Sequence, residues 1–168
     1  MYIREALSKD LIEIVNIYNS TISDHIATAD LTEISVESRL DWLENRDFRF
    51  RPVWVIERSN RKQEDSRILG WLSFNDFYGR PAYQHTAELS IYVASENRHQ
   101  GVGSYLLQHA IAACPQLQIK VLLGFIFAHN QPSLKLFQKY DFVQWGKLPQ
   151  VAKLSQKDQD LIILGKTI

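Results

Sequence analysis

The sequence predicts an α/β domain in which one mixed sheet is flanked by helices. Segments with strand-like apolar patterns interleave with segments of helical periodicity. One segment, Ile119–Phe127, is almost wholly apolar, as in a strand covered on both faces. The predicted order is β-α-α-β-β-β-α-β-α-β-β. Because the chain has 168 residues and no internal repeat or Gly/Ser linker, residues 1–168 are expected to form a single domain.

After the first strand, the first half of the chain carries two helical segments and then three strands. Ser8–Ile22 places its apolar residues at helical spacing, with Ser8 as the expected N-cap, and Ser35–Asn45 has a similar pattern. The polar stretch Arg58–Arg67 is interpreted as a solvated hairpin loop between two of the strands. The strands are predicted near residues 52–57, 67–75 and 85–93.

The second half is predicted to alternate helices and strands. A helix begins just after Gly103 and ends near Pro115, because proline lacks the N–H that would continue it. After the apolar strand, Asn130 is expected to cap a helix that runs to about Tyr140. Two closing strands are predicted at Val143 and Asp160–Leu164.

Composition and charge narrow the classes of function. The chain carries 19 basic and 19 acidic side chains, whereas nucleic-acid binding usually draws on a basic excess, so no nucleic-acid partner is expected. No apolar run approaches the ~20 residues of a membrane-spanning helix, and the first residues lack the apolar core of a signal peptide. We therefore expect no membrane association and a cytoplasmic location. The single cysteine, Cys114, lies in a helical apolar pattern and is interpreted as a core residue.

A turn with two glycines follows the strand at 85–93. It reads Arg98-His99-Gln100-Gly101-Val102-Gly103-Ser104, and the next helix begins there. The first N–H groups of a helix have no internal partner, the helix dipole favours negative charge, and glycine lets a bulky anion approach. The turn lacks the Gly-Lys-Ser/Thr of a Walker loop and has Leu106 where the dinucleotide fingerprint needs a third glycine. On these residues alone the turn is interpreted either as a loop whose glycines serve turn geometry only or as a pyrophosphate site of another kind.

The turn and several blocks around it carry a resemblance to a known family. Arg98-x-x-Gly101-x-Gly103 resembles the Q/R-x-x-G-x-G/A signature of the GNAT superfamily of N-acetyltransferases, in which this loop binds the pyrophosphate of coenzyme A. Further blocks, over nearly the whole chain, are similar to the phosphinothricin acetyltransferase branch, which acetylates the α-amine of phosphinothricin, methionine sulfoximine and related amino acids. These blocks are Ile3-Arg4, Ile17-Tyr18-Asn19, Trp42-Leu43, Gly70-Trp71, Arg80-x-x-Tyr83, Thr86-x-Glu88-x-Ser90-x-Tyr92-Val93, Asn130-x-Pro132-Ser133 and Pro149-Gln150-Val151.

The resemblance implies a fold and a cosubstrate. The fold is a mixed, mostly antiparallel sheet of about seven strands with about four helices, splayed between its fourth and fifth strands so that pantetheine enters the gap. The cosubstrate is acetyl-CoA, and no metal ion is expected. The residues implied in acetyl-CoA binding are Ile91, Tyr92, Val93, Arg98, His99, Gln100, Gly101, Val102, Gly103, Ser104, Asn130, Ser133 and Phe137.

Glu88 is the candidate general base. Strand alternation places Glu88, Ser90 and Tyr92 on one face, and a lone carboxylate in an apolar strand is costly unless it is paired, hydrated or used. A structural ion pair is one interpretation. The resemblance implies the other: Glu88 accepts the proton of the attacking amine through water, because an α-amine is largely protonated near neutral pH. It also implies that a backbone N–H near Tyr92 or Val93 stabilises the oxyanion.

The acceptor site is implied by a short motif. Arg80 and Tyr83 match an Arg-x-x-Tyr motif of the branch, and an arginine there could pair with a substrate carboxylate. The other interpretation of Arg80 is a solvated charge on a hairpin. Three positions depart from the branch. Phe137 stands where relatives have a tyrosine or histidine that can donate a proton, Tyr78 stands in place of a second arginine, and Ala29 in place of an aromatic residue.

The predicted function is acetyl transfer from acetyl-CoA to the amine of a small amino-acid-like substrate, through a tetrahedral intermediate. A polyamine, an aminoglycoside or a protein N-terminus stays open as the acceptor, since Asp24, Asp30 and Glu33 could serve a cationic molecule. A different class is a non-catalytic acyl-CoA-binding module, in which Phe137 marks lost chemistry and against which Glu88 argues. Because relatives are commonly dimers, a homodimer is also expected.

Overall fold

The computed structural model describes residues 1–58, 67–154 and 156–168. In this part of the chain the strands are β1 (Tyr2–Glu5), β2 (Val53–Glu57), β3 (Ile68–Asp76), β4 (Thr86–Val93), β5 (Val121–Phe127), β6 (Val143–Leu154) and β7 (Lys157–Thr167). The α-helices are α1 (Leu11–Asn19), α2 (Leu40–Glu44), α3 (Val102–Ala113) and α4 (Gln131–Lys139). The hairpin loop predicted at 58–67 lies, for residues 59–66, outside the described residues.

The strands form one sheet in the order β1-β2-β3-β4-β5-β7-β6. Its neighbours pair antiparallel, except for β4 and β5, which run parallel. A parallel pair needs a crossover connection, and α3 provides it. The prediction of a mixed, mostly antiparallel sheet of seven strands with four helices is confirmed for the described residues.

The sheet is splayed between β4 and β5. The two strands pair at Thr86–Val121, Ala87–Leu122 and Glu88–Leu123, and no further pair joins them among the described residues. Beyond Glu88, β4 keeps its antiparallel ladder with β3 as far as Val93. The side of β4 that faces β5 is therefore without a strand partner there, as the resemblance implied.

Each face of the sheet buries its own core. Leu106, Leu107 and Phe137 of α3 and α4 belong to a cluster on one face, and Leu11 and Leu43 of α1 and α2 to a cluster on the other. Alternation along β4 divides its residues between these two clusters, because successive strand side chains point to opposite faces. Leu89 joins the α3–α4 cluster, and Tyr92 packs against the α1–α2 cluster. The face that carries Glu88, Ser90 and Tyr92 is therefore the α1–α2 face.

The ends of two elements differ from the sequence prediction. The Ser8 cap is wrong: a 3₁₀ turn at Ser8–Asp10 precedes α1, and the carboxylate of Asp10 accepts a hydrogen bond from the N–H of Leu7 at 2.8 Å. The closing strands are longer than predicted, because register shifts between Gln144 and Gly146 and between Leu148 and Ala152 break the alternation of β6. Within the described residues, no helix is long and apolar enough to cross a membrane.

Candidate active site

A cavity of about 840 Å³ opens where β4 and β5 separate. Its walls come from the two splayed strands, the first turns of α3 and α4, and the α1–α2 connection. It brings together most of the residues that the sequence singled out: Glu88, Ile91, Tyr92, Val93, Arg98, His99, Gly101, Val102, Gly103, Ser104, Asn130, Ser133 and Phe137.

The two-glycine turn forms one end of this cavity. Gly101 is the N-cap of α3 and has φ 83°, a left-handed conformation in which glycine has no steric cost. Gly103 lets α3 approach α4, since a Cβ there would lie 3.1 Å from Cδ2 of Leu136. The first N–H groups of α3 have no partner within the helix and lie at the cavity wall. This arrangement suits a phosphate-bearing ligand.

The side chain of Gln100 lies apart from the other members of the turn. It does not line the cavity, and its Nε2 donates to the carbonyl oxygen of Glu96 at 2.8 Å. Gln100 therefore closes the 3₁₀ turn that precedes α3.

The α1–α2 connection covers the same end of the cavity, and its contact with the two-glycine turn was not predicted from the sequence, which placed Asp24 and Ala29 on the acceptor side. Asp24 Oδ2 lies 3.2 Å from Nη1 of Arg98, and both side chains are partly exposed. Thr21 and Ile26–Ala29 also line the cavity. The segment has no apolar period that would have placed it, so only the tertiary structure shows its position.

Asn130 fastens this connection to α4. Its Oδ1 accepts the N–H of Ser133 at 3.2 Å, which confirms the predicted cap, and its Nδ2 donates to the carbonyl oxygen of Ile26 at 3.2 Å. Next to it, Nε2 of His129 lies 2.9 Å from the carbonyl oxygen of His25. Both polar atoms of the Asn130 amide are thus used within the protein.

Glu88 lies at the fork of the splay, as the last residue of β4 that pairs with β5. Its side chain is half-buried, and its carboxylate has no hydrogen-bond or ion-pair partner among the described residues. Burial raises the pKa of this carboxyl above the usual range for glutamate. The interpretation as a structural ion pair therefore has no support in the described part of the chain.

The backbone of β4 presents alternate N–H groups to the gap. The N–H of Ala94 donates to Leu69 on the β3 side, and the N–H groups of one strand point alternately to its two neighbours. Tyr92 therefore directs its N–H towards β3, whereas Val93 and Ile91 direct theirs towards β5. Of the two positions considered from the sequence, only Val93 presents its N–H to the gap.

Phe137 covers the floor of the cavity on the α3–α4 side. Its ring is 4% exposed and packs edge-on against Phe142, with ring centroids 4.8 Å apart. Gly124 of β5 leaves room for it, because a Cβ there would lie 2.7 Å from Cε1 of Phe137. The ring supplies apolar surface and no proton.

Arg80 and Tyr83 lie outside the cavity, on the exposed β3–β4 connection. Tyr83 packs with Phe77 and Tyr78, at ring-centroid distances of 5.4 and 5.9 Å. Phe77 in turn stacks at 6.4 Å on Phe125, which does line the cavity. The connection between this hairpin and the site is therefore indirect.

Across the described residues, no cluster of three His, Cys, Asp or Glu side chains could hold a metal ion.

Comparisons with known proteins identify the family of this chain. The profile of the Acetyltransferase (GNAT) family matches residues 13–142. The chain is 45% identical over 168 residues to YwnH of Bacillus subtilis (strain 168), which is provisionally named a phosphinothricin acetyltransferase, and the match covers 100% of this chain and 99% of YwnH. It is 31% identical over 151 residues to the L-amino acid N-acyltransferase MnaT of Escherichia coli (strain K12), covering 90% of this chain and 84% of MnaT.

Solved structures agree with this family. A ribosomal-protein-alanine N-acetyltransferase from Brucella melitensis has a TM-score of 0.91 at 32% identity, with 100% of both chains covered. The protein yncA from Salmonella typhimurium, solved with its cofactor acetyl-CoA, has a TM-score of 0.87 at 26% identity, covering 99% of this chain and 92% of yncA. Fold, cavity and profile match thus agree: the chain belongs to the GNAT family of acetyltransferases, whose acetyl donor is acetyl-CoA.

Proposed function

We propose that this acetyltransferase acetylates the α-amine of a small amino-acid-like acceptor of the phosphinothricin or methionine sulfoximine type. The observation that carries the proposal is the half-buried carboxylate of Glu88, which has no partner in the described part of the chain and lies at the fork of the splayed strands, beside the cavity. The names of YwnH and MnaT support the acceptor class. A carboxyl with a raised pKa is a better base near neutral pH than an ordinary glutamate.

The cavity suggests how acetyl-CoA lies. The pyrophosphate binds the N–H groups of Gly101 to Ser104 and the guanidinium of Arg98. Pantetheine then runs along β4 and pairs with its free backbone groups like an added strand. Glu88 and Val93 are five residues apart, which is roughly 17 Å at strand spacing. The thioester therefore arrives near the fork, beside Glu88.

The reaction follows from this placement. Glu88 takes a proton from the ammonium group through water, and the neutral amine attacks the thioester carbonyl to form the tetrahedral intermediate. We assign the oxyanion donor to the N–H of Ile91, because it faces the gap and lies nearer Glu88 than the N–H of Val93. Val93 then pairs with pantetheine.

The leaving group departs without a proton from Phe137. A thiol has a pKa of about 8.5 in the reference case of cysteine, so coenzyme A can leave as the thiolate and then take up, through water, the second proton that the attacking nitrogen loses as the amide forms. The phenyl ring of Phe137 contributes apolar contact with the cofactor.

Other acceptors have less support. The relative from Brucella melitensis favours a protein N-terminus as the second candidate. Cationic acceptors would need free carboxylates, but Asp24 is paired with Arg98, Asp30 accepts a hydrogen bond from the Tyr18 hydroxyl at 2.6 Å, and Glu33 does not line the cavity. A non-catalytic module would leave Glu88 without a role.

We also propose a homodimer formed through β6. This strand lies at the edge of the sheet. It exposes four large apolar side chains, Val143, Trp145, Leu148 and Val151. Edge strands of this kind invite pairing with another chain. Light scattering at micromolar concentration tests the proposal, and a monomer would contradict it.

A panel of amines tests the acceptor class. Release of coenzyme A is followed with acetyl-CoA and each of methionine sulfoximine, methionine sulfone, neutral L-amino acids, spermidine, an aminoglycoside and a peptide with N-terminal alanine. We expect turnover with the sulfoximine or sulfone well above that with the cations and the peptide. Preference for the peptide would replace this proposal with the second candidate, and no release with any amine would favour the module.

A further inference from the structure

A second cavity, of about 190 Å³, adjoins the first on the α1–α2 face of the sheet. Its walls are aromatic, with Tyr18, Trp42, Trp71 and Tyr92 among them, and Arg39 of the 3₁₀ turn before α2 also lines it. Tyr92 and Ser90 line both cavities. A ligand in the small cavity therefore lies next to the acetyl-CoA site, across a shared wall.

The register of the sheet places this cavity beside Glu88. Ser73 lies opposite Ser90, and Asn75 lies opposite Glu88. Residues directly opposite in an antiparallel pair point to the same face. Ser73, Asn75 and Ser90 line the small cavity, so Glu88 is the next residue along the same surface, roughly 7 Å from Ser90 at strand spacing.

Arg39 is the one cationic side chain among the described residues that line this cavity. Its guanidinium carbon lies 5.5 Å from the ring centroid of Tyr18 and 5.6 Å from that of Trp42. No carboxylate among the described residues lies within ion-pair distance of it. The neighbouring Arg46 is different, because it donates to the carbonyl oxygens of Arg51 and Phe74 and to Oδ1 of Asn75.

The geometry points to Arg39 as the residue that binds the α-carboxylate of the acceptor, with the small cavity as the acceptor pocket. This inference rests on the proposed function, and it names the subsite that function needs. A guanidinium over aromatic rings keeps N–H donors free for a carboxylate, and its planar fork matches the two oxygens. The aromatic walls accept an apolar or sulfur-bearing side chain.

The pocket also explains how an amino acid would be oriented. Arg39 attracts the negative end of the zwitterion, and Glu88, on the same face, attracts the positive end. The α-amine is thereby directed to the fork where the thioester arrives. Arg80, by contrast, lies on the exposed hairpin outside both cavities.

The test compares Arg39→Gln with Arg49→Gln as the control, an exposed arginine that pairs with Asp47 and lines neither cavity, and with Arg80→Gln as the rival carboxylate-binding position that the family motif implies. Each variant is assayed for coenzyme A release with L-methionine sulfone and with L-methionine sulfone amide, which keeps the amine and loses the carboxylate charge. For Arg39→Gln we expect KM for the acid to rise about 10- to 100-fold, the loss expected for hydrogen bonds to a charged group. KM for the amide should change less than about threefold, and Arg49→Gln should resemble the wild type with both substrates.

Two further measurements separate binding from folding. Arg39→Lys keeps the charge and loses the fork, so its KM for the acid should lie between those of the wild type and Arg39→Gln. Acetyl-CoA affinity, measured by calorimetry, should be unchanged in all four variants. Equal losses with acid and amide, or a carboxylate-specific loss in Arg80→Gln alone, would overturn the assignment of Arg39. A wild-type enzyme that acetylates peptides and no amino acid would overturn the proposed function itself, and this inference with it.

Discussion

Asp24 and Arg98 form an ion pair at the mouth of the acetyl-CoA cavity, with Oδ2 of the aspartate 3.2 Å from Nη1 of the arginine. The arginine belongs to the turn that receives the pyrophosphate, and the aspartate to the α1–α2 connection that covers it. A pyrophosphate and the Asp24 carboxylate would compete for the same guanidinium. The two negative groups would also repel each other.

Asp24→Asn should therefore tighten the binding of acetyl-CoA. Exposed ion pairs contribute up to about 1 kcal/mol, so the expected gain is up to roughly fivefold in Kd at low salt. The gain should shrink as salt rises, because exposed charges are screened. Calorimetry at two salt concentrations measures it. Glu33→Gln, an exposed change of the same charge near the same connection, is the control and should leave Kd unchanged. Weaker binding by Asp24→Asn would show that the aspartate supports the cofactor.

Glu88→Gln should lower kcat by roughly 10²- to 10⁴-fold, the usual contribution of a general base. The wild-type enzyme should also show an acidic limb in kcat. Burial raises the pKa of Glu88 above its usual range, and only the deprotonated carboxylate accepts a proton. Activity is therefore present above the raised pKa and is lost as pH falls through it, at a pH above the ~4.3 of an ordinary glutamate.

The pH profile of the Glu88→Gln enzyme is the decisive comparison. The glutamine variant should lose this limb while it keeps wild-type affinity for acetyl-CoA. If kcat is unchanged, or if the same limb persists in the variant, another group removes the proton.

The parts of the site that the sequence predicted are those that local patterns determine. Glu88 and the turn at Arg98 lie on and after a strand whose alternation is visible in the sequence, and the strand-turn-helix order is itself the anion site. The α1–α2 connection has no such pattern. Asp24 comes to Arg98 only through packing across 74 positions of the chain.

The same distinction explains what the sequence missed on the acceptor side. Arg39 is available because of what its neighbours do: Arg46 donates to three backbone carbonyl oxygens and to Asn75, whereas Arg39 has no acceptor among the described residues. No residue spacing in the sequence predicts which of the two arginines is hydrogen-bonded within the protein. The long edge strand β6 was missed for another reason, because its two register shifts interrupt the alternation by which a strand is recognised.

Gly101→Ala should weaken acetyl-CoA binding and lower stability together. The residue has φ 83°, and a Cβ there would contact nothing within 4 Å, so the cost lies in the backbone alone. A left-handed conformation costs a residue with a side chain about 1 kcal/mol. Gly79→Ala is the matched control, with φ 58° and an equally open surrounding on the β3–β4 connection. Both variants should lose similar stability in urea, and only Gly101→Ala should lose acetyl-CoA affinity. If the two variants bind acetyl-CoA with equal affinity, the turn at Gly101 does not bind the pyrophosphate.

Arg4→Met should be strongly destabilising, because Arg4 joins two buried carboxylates at the start of the sheet. Its Nη1 lies 2.6 Å from Oδ2 of Asp10, and its Nη2 pairs with Glu57. Removing one partner of a buried network costs about 3–5 kcal/mol, and we expect the lower end because 26% of the Arg4 side chain is exposed. Urea unfolding measures the loss. Arg49→Met is the control, since Arg49 pairs with Asp47 at an exposed site and should cost less than about 1 kcal/mol.

The pH dependence of that loss tests its cause. Burial alone would raise the pKa of Asp10, but the hydrogen bonds from Arg4 and from the Leu7 N–H outweigh it and hold the pKa below the usual range. A carboxyl whose pKa is lower in the folded protein than in the unfolded one stabilises the fold at pH values above its pKa in the unfolded chain. This stabilisation is lost as pH falls through its pKa in the folded protein. The wild type should therefore lose stability as pH falls. The difference in free energy of unfolding between the wild type and Arg4→Met should also narrow, because a protonated Asp10 carries no charge for the arginine to balance. If this difference stays constant down to the pH at which the wild type begins to unfold, Arg4 stabilises the fold through packing and not through its charge.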